Sequence, residues 1–201
     1  MRRFINENSA AIVKFVTTHI VMSLLGIMVG LAILAIEGES EGMSIIAVVG
    51  SVFTIGFMCF LHYDDMFFIA EKEGIRLRAE GEPINYWKGL LIALIAYAPT
   101  LIAGLVVIGF DIFAGDAENV RAIPMLIYYA FQGSFLGLYK IRESLGLSVY
   151  VILTLLPALV SATLGYALGL KDKTLRQLFG LKVKPPYDGP MERKHDKNKD
   201  K

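Results

Sequence analysis

The densest group of side chains that could bind a metal or move protons lies at residues 62–65, where one histidine is followed by two aspartates. On a helix, His62 and Asp64 point about 200° apart, because each residue rotates by about 100°. Only Asp65 or Met66 is close enough along the helix to share an ion or a proton with His62. The alternative is that these carboxylates end a membrane helix and are hydrated at the headgroup level. Since no further ligand accompanies them, we predict no metal site.

A second candidate is His19, the one ionisable side chain deep within an apolar stretch, about one helical turn from its edge. Ionisable groups are costly in hydrocarbon and are functional candidates by default. His19 can hydrogen-bond a neighbouring helix, or it can relay protons or bind a ligand, and the sequence leaves both interpretations open.

The elements that must position these residues are long apolar segments. Three uncharged stretches of 22 residues and one of 27 occur at 15–36, 42–63, 89–110 and 144–170, with the last span placed at 146–170. About 20 apolar residues cross the roughly 30 Å hydrocarbon core of a bilayer. The sequence therefore predicts an all-α integral membrane protein with four transmembrane helices, in a single membrane domain at 1–184 that precedes a basic, disordered tail at 185–201.

Composition supports this class and argues against an enzyme. Hydrophobic residues make up 55% of the 201 residues and charged residues only 19%, which is too few to cover a soluble domain of this size. The single Cys59 excludes a disulfide within the chain. Walker A, His-Glu-x-x-His and Gly-x-Ser-x-Gly sequences are absent. We predict no catalytic residue and no cofactor.

The distribution of charge predicts the orientation. Bases precede the first apolar stretch, whereas residues 37–42 hold three acids and no base, and 171–201 holds ten bases against five acids. Because Lys and Arg collect in cytoplasmic segments, both termini are predicted to be cytoplasmic. The protein is therefore predicted to lie in the cell membrane, and the bases of its tail are expected to bind anionic lipids of the inner leaflet.

A fifth apolar segment at 122–139 does not fit this count. It is only 18 residues long, contains Gln132 and two glycines, and is followed at once by Lys140 and Arg142. If it crossed the membrane, the basic tail would lie outside. We therefore predict a re-entrant or interfacial segment on the outer side, with a five-helix protein as the alternative. Irregular backbone at membrane depth needs shielding by protein or a water-filled cavity, so Gln132 is a further polar candidate.

Small residues and prolines indicate where helices pack and bend. Two stripes at helical spacing are predicted to allow close approach of backbones: Ser23, Gly26 and Gly30, and then Ser161, Gly165 and Gly169. These faces serve either packing within the chain or homodimerisation. Pro99 and Pro157 lie near the middles of the third and last stretches and predict kinks, because proline removes a helical hydrogen bond.

Three features resemble small, uncharacterised multi-pass membrane proteins of Gram-positive bacteria. They are the Phe- and Tyr-rich end of the second stretch, the Gly-Glu-Pro linker at 81–83, and Gly-Tyr-x-x-Gly-x-Lys-Asp at 165–172. This resemblance implies a bacterial cytoplasmic membrane and no particular chemistry.

The sequence thus leads to two functional hypotheses. The first is a non-enzymatic membrane subunit or accessory protein, which acts through helix contacts with a second copy or another membrane protein and binds no nucleic acid. The alternative is a small transporter or channel for a neutral or lipophilic solute. Few ionisable groups lie within the spans, which favours the first hypothesis.

The predicted orientation can be tested with topology reporters. A reporter fused after Lys201 is expected to report the cytoplasm, and one inserted at Ser40 the outside, because the charge bias outweighs the segment count. A C-terminal reporter that is active only outside would contradict four spans and require a fifth crossing.

Overall fold

The described part of the chain is almost entirely helical, and the all-α prediction is confirmed. In the computed structural model the described residues are 2–37, 45–113, 118–138 and 145–173, and none of them forms a β-strand. The elements are α1 Arg2–Glu7, α2 Ser9–Glu37, α3 Ile45–Glu80, α4 Trp87–Ala96, α5 Ala98–Phe113, α6 Glu118–Phe131, a 3-10 helix η1 Gly133–Leu138, and α7 Leu147–Leu170. The predicted tail and its boundary lie outside the described residues.

Three helices, α2, α3 and α7, are long and apolar enough to cross a membrane, and α4 with α5 makes a fourth if the bent pair counts as one span. At one end of this pair Gly89 lies against Tyr166, and at the other Ser148 donates a hydrogen bond to Asp111 (3.2 Å). Tyr166 and Ser148 are 18 residues apart on α7, roughly 27 Å at 1.5 Å per residue. The bent pair therefore extends along almost the whole length of α7.

The two ends of the bundle differ in charge. Lys14, Asp65, Glu73 and Lys88 lie where α2 begins and α3 ends, and we call this the charged end. The opposite end, where α2 and α5 end and α3 and α7 begin, is called the far end. The extension of α3 beyond its apolar part stops before Gly81, which adopts the left-handed φ of +69° that closes a helix.

Helices α3 and α7 pack through glycine. A Cβ added at Gly165 would collide with the backbone of Tyr63, and one at Gly169 with the carbonyl of Phe67. Gly74 of α3 similarly faces the carbonyl of Leu170. Without side chains between them, the two backbones approach closely enough to gain dispersion energy where lipid offers no hydrophobic drive.

The stripe of small residues on α2 contacts a different kind of element from the stripe on α7. Gly26 lies directly against the backbone of Ser134, and Gly30 against the side chain of Leu136. Both partners belong to η1, so the small residues of α2 accommodate the irregular segment and not a transmembrane helix. The face that could have served a homodimer is filled from within the chain.

The segment at 122–139, described as far as Leu138, enters and leaves the bundle at the far end. Helix α6 descends beside the far half of α5 and the first turns of α7, where Tyr128 packs with Val107 and Val151. After Phe131 the chain turns, and Gly137 of η1 lies against Ser51, near the start of α3. The chain therefore folds back on itself within the bundle, and we call 122–138 the re-entrant hairpin.

The two prolines have different consequences. The third apolar stretch breaks at Tyr97, two residues before Pro99, and α4 and α5 meet at 65°. Helix α7 instead continues through Pro157 from Leu147 to Leu170. The Thr154 hydroxyl donates to the carbonyl of Val151 (2.9 Å), and the Thr154 carbonyl accepts from Gln132 (3.3 Å). Side chains thus supply hydrogen bonds close to the proline.

Replacing Gly26 with alanine is expected to destabilise the protein. The added methyl group would meet the backbone of Ser134, which cannot rotate away as a side chain can, and overpacking costs about 1–3 kcal/mol. The measurement is the thermal unfolding midpoint in detergent. The matched control is Gly56→Ala, whose Cβ would face open space and should leave the midpoint unchanged or raise it. Equal midpoints for the two variants would show that Gly26 is not a tight contact.

Candidate functional site

Two histidines face each other in the interior of the bundle. Nδ1 of His19 on α2 lies 3.4 Å from Nε2 of His62 on α3, and the two side chains are buried. The sequence suggested Asp65 or Met66 as the partner of His62, but Asp65 turns towards α2. Its carboxylate accepts hydrogen bonds from Thr18 (2.6 Å) and pairs with Lys14 (2.8 Å). The partner of His62 therefore comes from another helix.

Aromatic rings enclose the imidazole pair. Phe15, one turn before His19 on α2, stacks on His62 with ring centroids 4.1 Å apart, and Tyr97 meets His19 edge-on at 4.7 Å. Phe15 and Tyr97 have no exposed surface. The spacing of four residues between Phe15 and His19 places both on one face of α2. These contacts separate the pair from the solvent of the charged end.

Polar contacts continue from the histidines towards the far end. Thr100 Oγ1 lies 3.4 Å from Nε2 of His19, and the amide of Gln132 donates to the Tyr97 hydroxyl (2.5 Å). The hydroxyls of Tyr128 and Thr154 are hydrogen-bonded to each other beyond Gln132. We call this set the polar column: His62, His19, Tyr97, Thr100, Gln132, Thr154 and Tyr128, all buried.

The column lies where two chain segments are broken. Tyr97 is the residue between α4 and α5, and Gln132 is the residue between α6 and η1. Irregular backbone at membrane depth survives only where protein shields it or where it lines a cavity. Within the described part of the chain, Oε1 of Gln132 and Nδ1 of His62 have no hydrogen-bond partner. The polar column therefore has unused hydrogen-bonding atoms, and protein shields it from its surroundings.

The turn of the re-entrant hairpin is held by Ser23. Its hydroxyl donates to the carbonyl of Ala130 (2.7 Å) and accepts from the N–H of Gly133 (2.8 Å), so one side chain satisfies both sides of the turn. Ser134 donates to the carbonyl of Met22 (3.0 Å), and Thr54 of α3 lies 2.9 Å from the carbonyl oxygen of Ser134. Hydroxyls of α2 and α3 thus replace the missing helical hydrogen bonds.

At the charged end, Glu73 joins three helices. Its carboxylate pairs with Lys88 of α4 (2.5 Å) and accepts a hydrogen bond from the Tyr166 hydroxyl of α7 (2.7 Å). Arg76, one turn from Glu73 on α3, approaches Glu80 at 3.8 Å. Lys88 therefore connects helices, in addition to marking the edge of an apolar stretch.

The sequence missed several members of the column and located others. His19, His62 and Gln132 were candidates, and the structure brings them to one site with Tyr97. Ser161 is half-buried and donates to the carbonyl of Ala158 (3.1 Å), outside the column. Thr100 and Thr154 were not among the predicted site residues. The usable signal was that both hydroxyls lie at the middle of apolar stretches.

No group of three or more His, Cys, Asp or Glu side chains within the described ranges is placed to hold a metal ion. Comparison with protein-family models, with curated proteins and with solved structures finds no match to this chain. The resemblance to membrane proteins of Gram-positive bacteria thus stays a prediction, and the argument for function rests on the geometry of the polar column.

The contact between Gln132 and Tyr97 can be measured by a double-mutant cycle. Tyr97→Phe removes the nearest acceptor of the Gln132 amide and is expected to cost about 0.5–2 kcal/mol, because hydrogen bonds within membranes contribute little on average and unpaired buried groups cost more. In a Gln132→Leu background the same change should cost distinctly less. The measurement is unfolding in mixed micelles, with Tyr86→Phe, an exposed tyrosine, as control. Purely additive effects would show that the two side chains are not coupled.

Proposed function

We propose that this multi-pass membrane protein is a small transporter that takes up protons at the His19–His62 pair. One observation carries the proposal: the facing imidazoles, the broken third span and the tip of a re-entrant hairpin meet in one buried polar column. In transporters, discontinuous helices in mid-membrane commonly form the site for substrate and coupling ions.

Packing alone gives no reason for such a column. The α3–α7 contact shows that this chain joins helices through glycine, without polar groups between the backbones. Polar groups that are buried without a complete set of partners cost free energy, and an ionisable residue in the membrane is costly in addition. Two histidines next to a glutamine with an unpartnered oxygen therefore favour a functional explanation over a structural one.

The chemistry available to the pair is proton exchange. A neutral imidazole has one donor and one acceptor nitrogen, and it changes charge near physiological pH in its unperturbed state. At 3.4 Å, one proton on the pair can be held between Nδ1 of His19 and Nε2 of His62. Thr100, on the other nitrogen of His19, extends this path towards the middle of the bundle.

The path to the pair begins at the charged end. Lys14, Asp65 and Thr18 form a polar cluster there, and Asp65 lies one helical turn from His62. The Phe15 ring lies over His62, so a proton or solute from this end requires Phe15 to move. On the other side, Val107 and its apolar neighbours cover Tyr128. The arrangement corresponds to a transporter closed on both sides.

This proposal selects the alternative hypothesis from the sequence. The accessory-subunit hypothesis was favoured because few ionisable groups lie within the spans, and the pairing of His62 with His19 weakens that argument. Orientation is part of the proposal: we assign the charged end to the cytoplasm because it carries the bases of 64–88 and leads into the basic tail. The transported solute is expected to be small and neutral, since the described column holds no carboxylate or permanent cation.

Proton uptake into vesicles tests the proposal directly. Purified protein is reconstituted into liposomes that contain a pH-sensitive dye, the membrane potential is clamped, and an external acid step is applied. Wild-type protein is expected to acidify the lumen faster than protein-free vesicles. His19→Gln and His62→Gln should each lower the rate, on the order of 100-fold, the lower end of what a positioned acid–base side chain contributes.

The third histidine supplies the matched control. His195 lies in the predicted tail, outside the described residues, and His195→Gln should retain the wild-type rate. Glutamine keeps hydrogen-bonding capacity without titrating, and gel filtration with thermal unfolding checks that each variant is folded. Wild-type vesicles that acidify no faster than empty ones would overturn the transporter proposal and leave the accessory-subunit hypothesis.

A further inference from the structure

We propose that a cavity at the charged end binds the phosphate headgroup of an anionic phospholipid. The cavity has a volume of about 540 Å³ and lies between the start of α2, the extension of α3 and the first turn of α4. We call it the basic cavity, and its charged lining consists of Lys14, Lys72, Arg76 and Lys88 with Glu7 and Glu73. This volume is within the roughly 300–1,000 Å³ of small-molecule sites.

The charges of the cavity are unevenly neutralised. Lys88 pairs with Glu73, and Glu7 pairs with Arg3 outside the lining. Arg76 is held only loosely by Glu80 at 3.8 Å, and Lys72 pairs with no carboxylate among the described residues. Lys72 and Arg76 are four residues apart, so the two cations lie on the same face of α3 and repel each other. An anion between them removes that repulsion.

The height of the cavity selects a lipid as the source of this anion. Lys14 directly precedes the apolar stretch at 15–36, and Lys88 directly precedes the one at 89–110. The basic cavity therefore lies at the membrane boundary, where headgroups are concentrated. Its remaining wall is apolar and includes Phe68 and Ile69, which can contact the glycerol and upper acyl region. Basic pockets between transmembrane helices at this level bind anionic headgroups in other membrane proteins.

This site is separate from the basic tail and from the polar column. The tail begins after α7, whereas the cavity is formed by α1, α2, α3 and α4. Lys14 nevertheless belongs to both the cavity lining and the pair with Asp65, so a bound phosphate would compete with Asp65 for this ammonium group. Lipid binding can thereby influence access to the histidines, although the site does not depend on the transport proposal.

Native mass spectrometry of the full chain in detergent provides the test. The protein is titrated with phosphatidylglycerol and, separately, with phosphatidylcholine of the same acyl chains. Wild-type protein is expected to retain phosphatidylglycerol preferentially. In Lys72→Gln/Arg76→Gln, affinity for phosphatidylglycerol should fall about 25-fold, or about five-fold for each base removed near the membrane surface.

The control variant removes two bases at the same end of the bundle. Lys171→Gln/Lys173→Gln changes exposed residues that do not line the cavity but lie at the start of the basic tail, so it measures the tail's own share of lipid binding and should lower the affinity clearly less than Lys72→Gln/Arg76→Gln does. Unfolding midpoints without added lipid verify that both double variants are folded.

Three results would overturn the proposal. They are equal retention of the two lipids by the wild type, equal losses of affinity in the two double variants, and binding of soluble glycerol 3-phosphate as tight as that of phosphatidylglycerol. The last result would identify the site as one for a soluble phosphate ester and not for a membrane lipid.

Discussion

The hydroxyl of Ser23 is the contact on which the interior of this bundle depends. A hairpin that turns inside a membrane protein exposes a carbonyl and an N–H that no helix satisfies, and in hydrocarbon each unsatisfied group costs several kcal/mol. Ser23 accepts from Gly133 and donates to Ala130, and it thereby fixes the position of Gln132 between them. Gly26, one turn later, lets the backbone of Ser134 lie against α2. The hydroxyl of Ser23 and the absence of a side chain at Gly26 together hold the hairpin against α2.

This arrangement changes the meaning of a common membrane motif. Gly26 and Gly30 satisfy the small-x-x-x-small pattern, which by itself predicts that two helices meet. Here the partner is a 3-10 segment, whose backbone needs both close approach and hydrogen-bond partners. The Ser161, Gly165 and Gly169 stripe does follow the usual rule for its two glycines, since both meet the backbone of α3. Each stripe also contains a serine, but the Ser23 hydroxyl bonds backbone groups of the hairpin, whereas the Ser161 hydroxyl donates to Ala158 within its own helix.

The sequence predicted the helices, because apolar length is a local property that bilayer thickness constrains directly. It also identified His19, His62 and Gln132 separately. It did not predict that they converge, because the distance between His19 and His62 depends on how α2 and α3 are rotated about their axes. Tyr97 was overlooked for a related reason. Nothing in the sequence near Pro99 marks Tyr97 as a site residue, because only the bend between α4 and α5 brings its hydroxyl to Gln132. Periodicity relates residues of one helix, so it cannot predict a pairing between two helices such as Glu73 with Lys88.

The distribution of glycine and polar contacts divides the bundle into two parts. Helices α3 and α7 are in backbone contact at Gly74, Gly165 and Gly169. The two helices therefore have no room to move past each other unless they separate. The other side of the polar column is formed by the two broken elements, the α4–α5 bend at Tyr97 and the re-entrant hairpin at Gln132. Thr154 of the glycine-packed pair contributes its carbonyl and its hydroxyl to the column, and the broken elements contribute the amide and phenol that meet them. Movement of the broken elements breaks only those few hydrogen bonds, at about 1–3 kcal/mol for each buried group left unpaired, whereas separating α3 from α7 loses the whole glycine-packed face. Any opening of the column will therefore proceed by movement of the broken elements against a fixed α3–α7 pair.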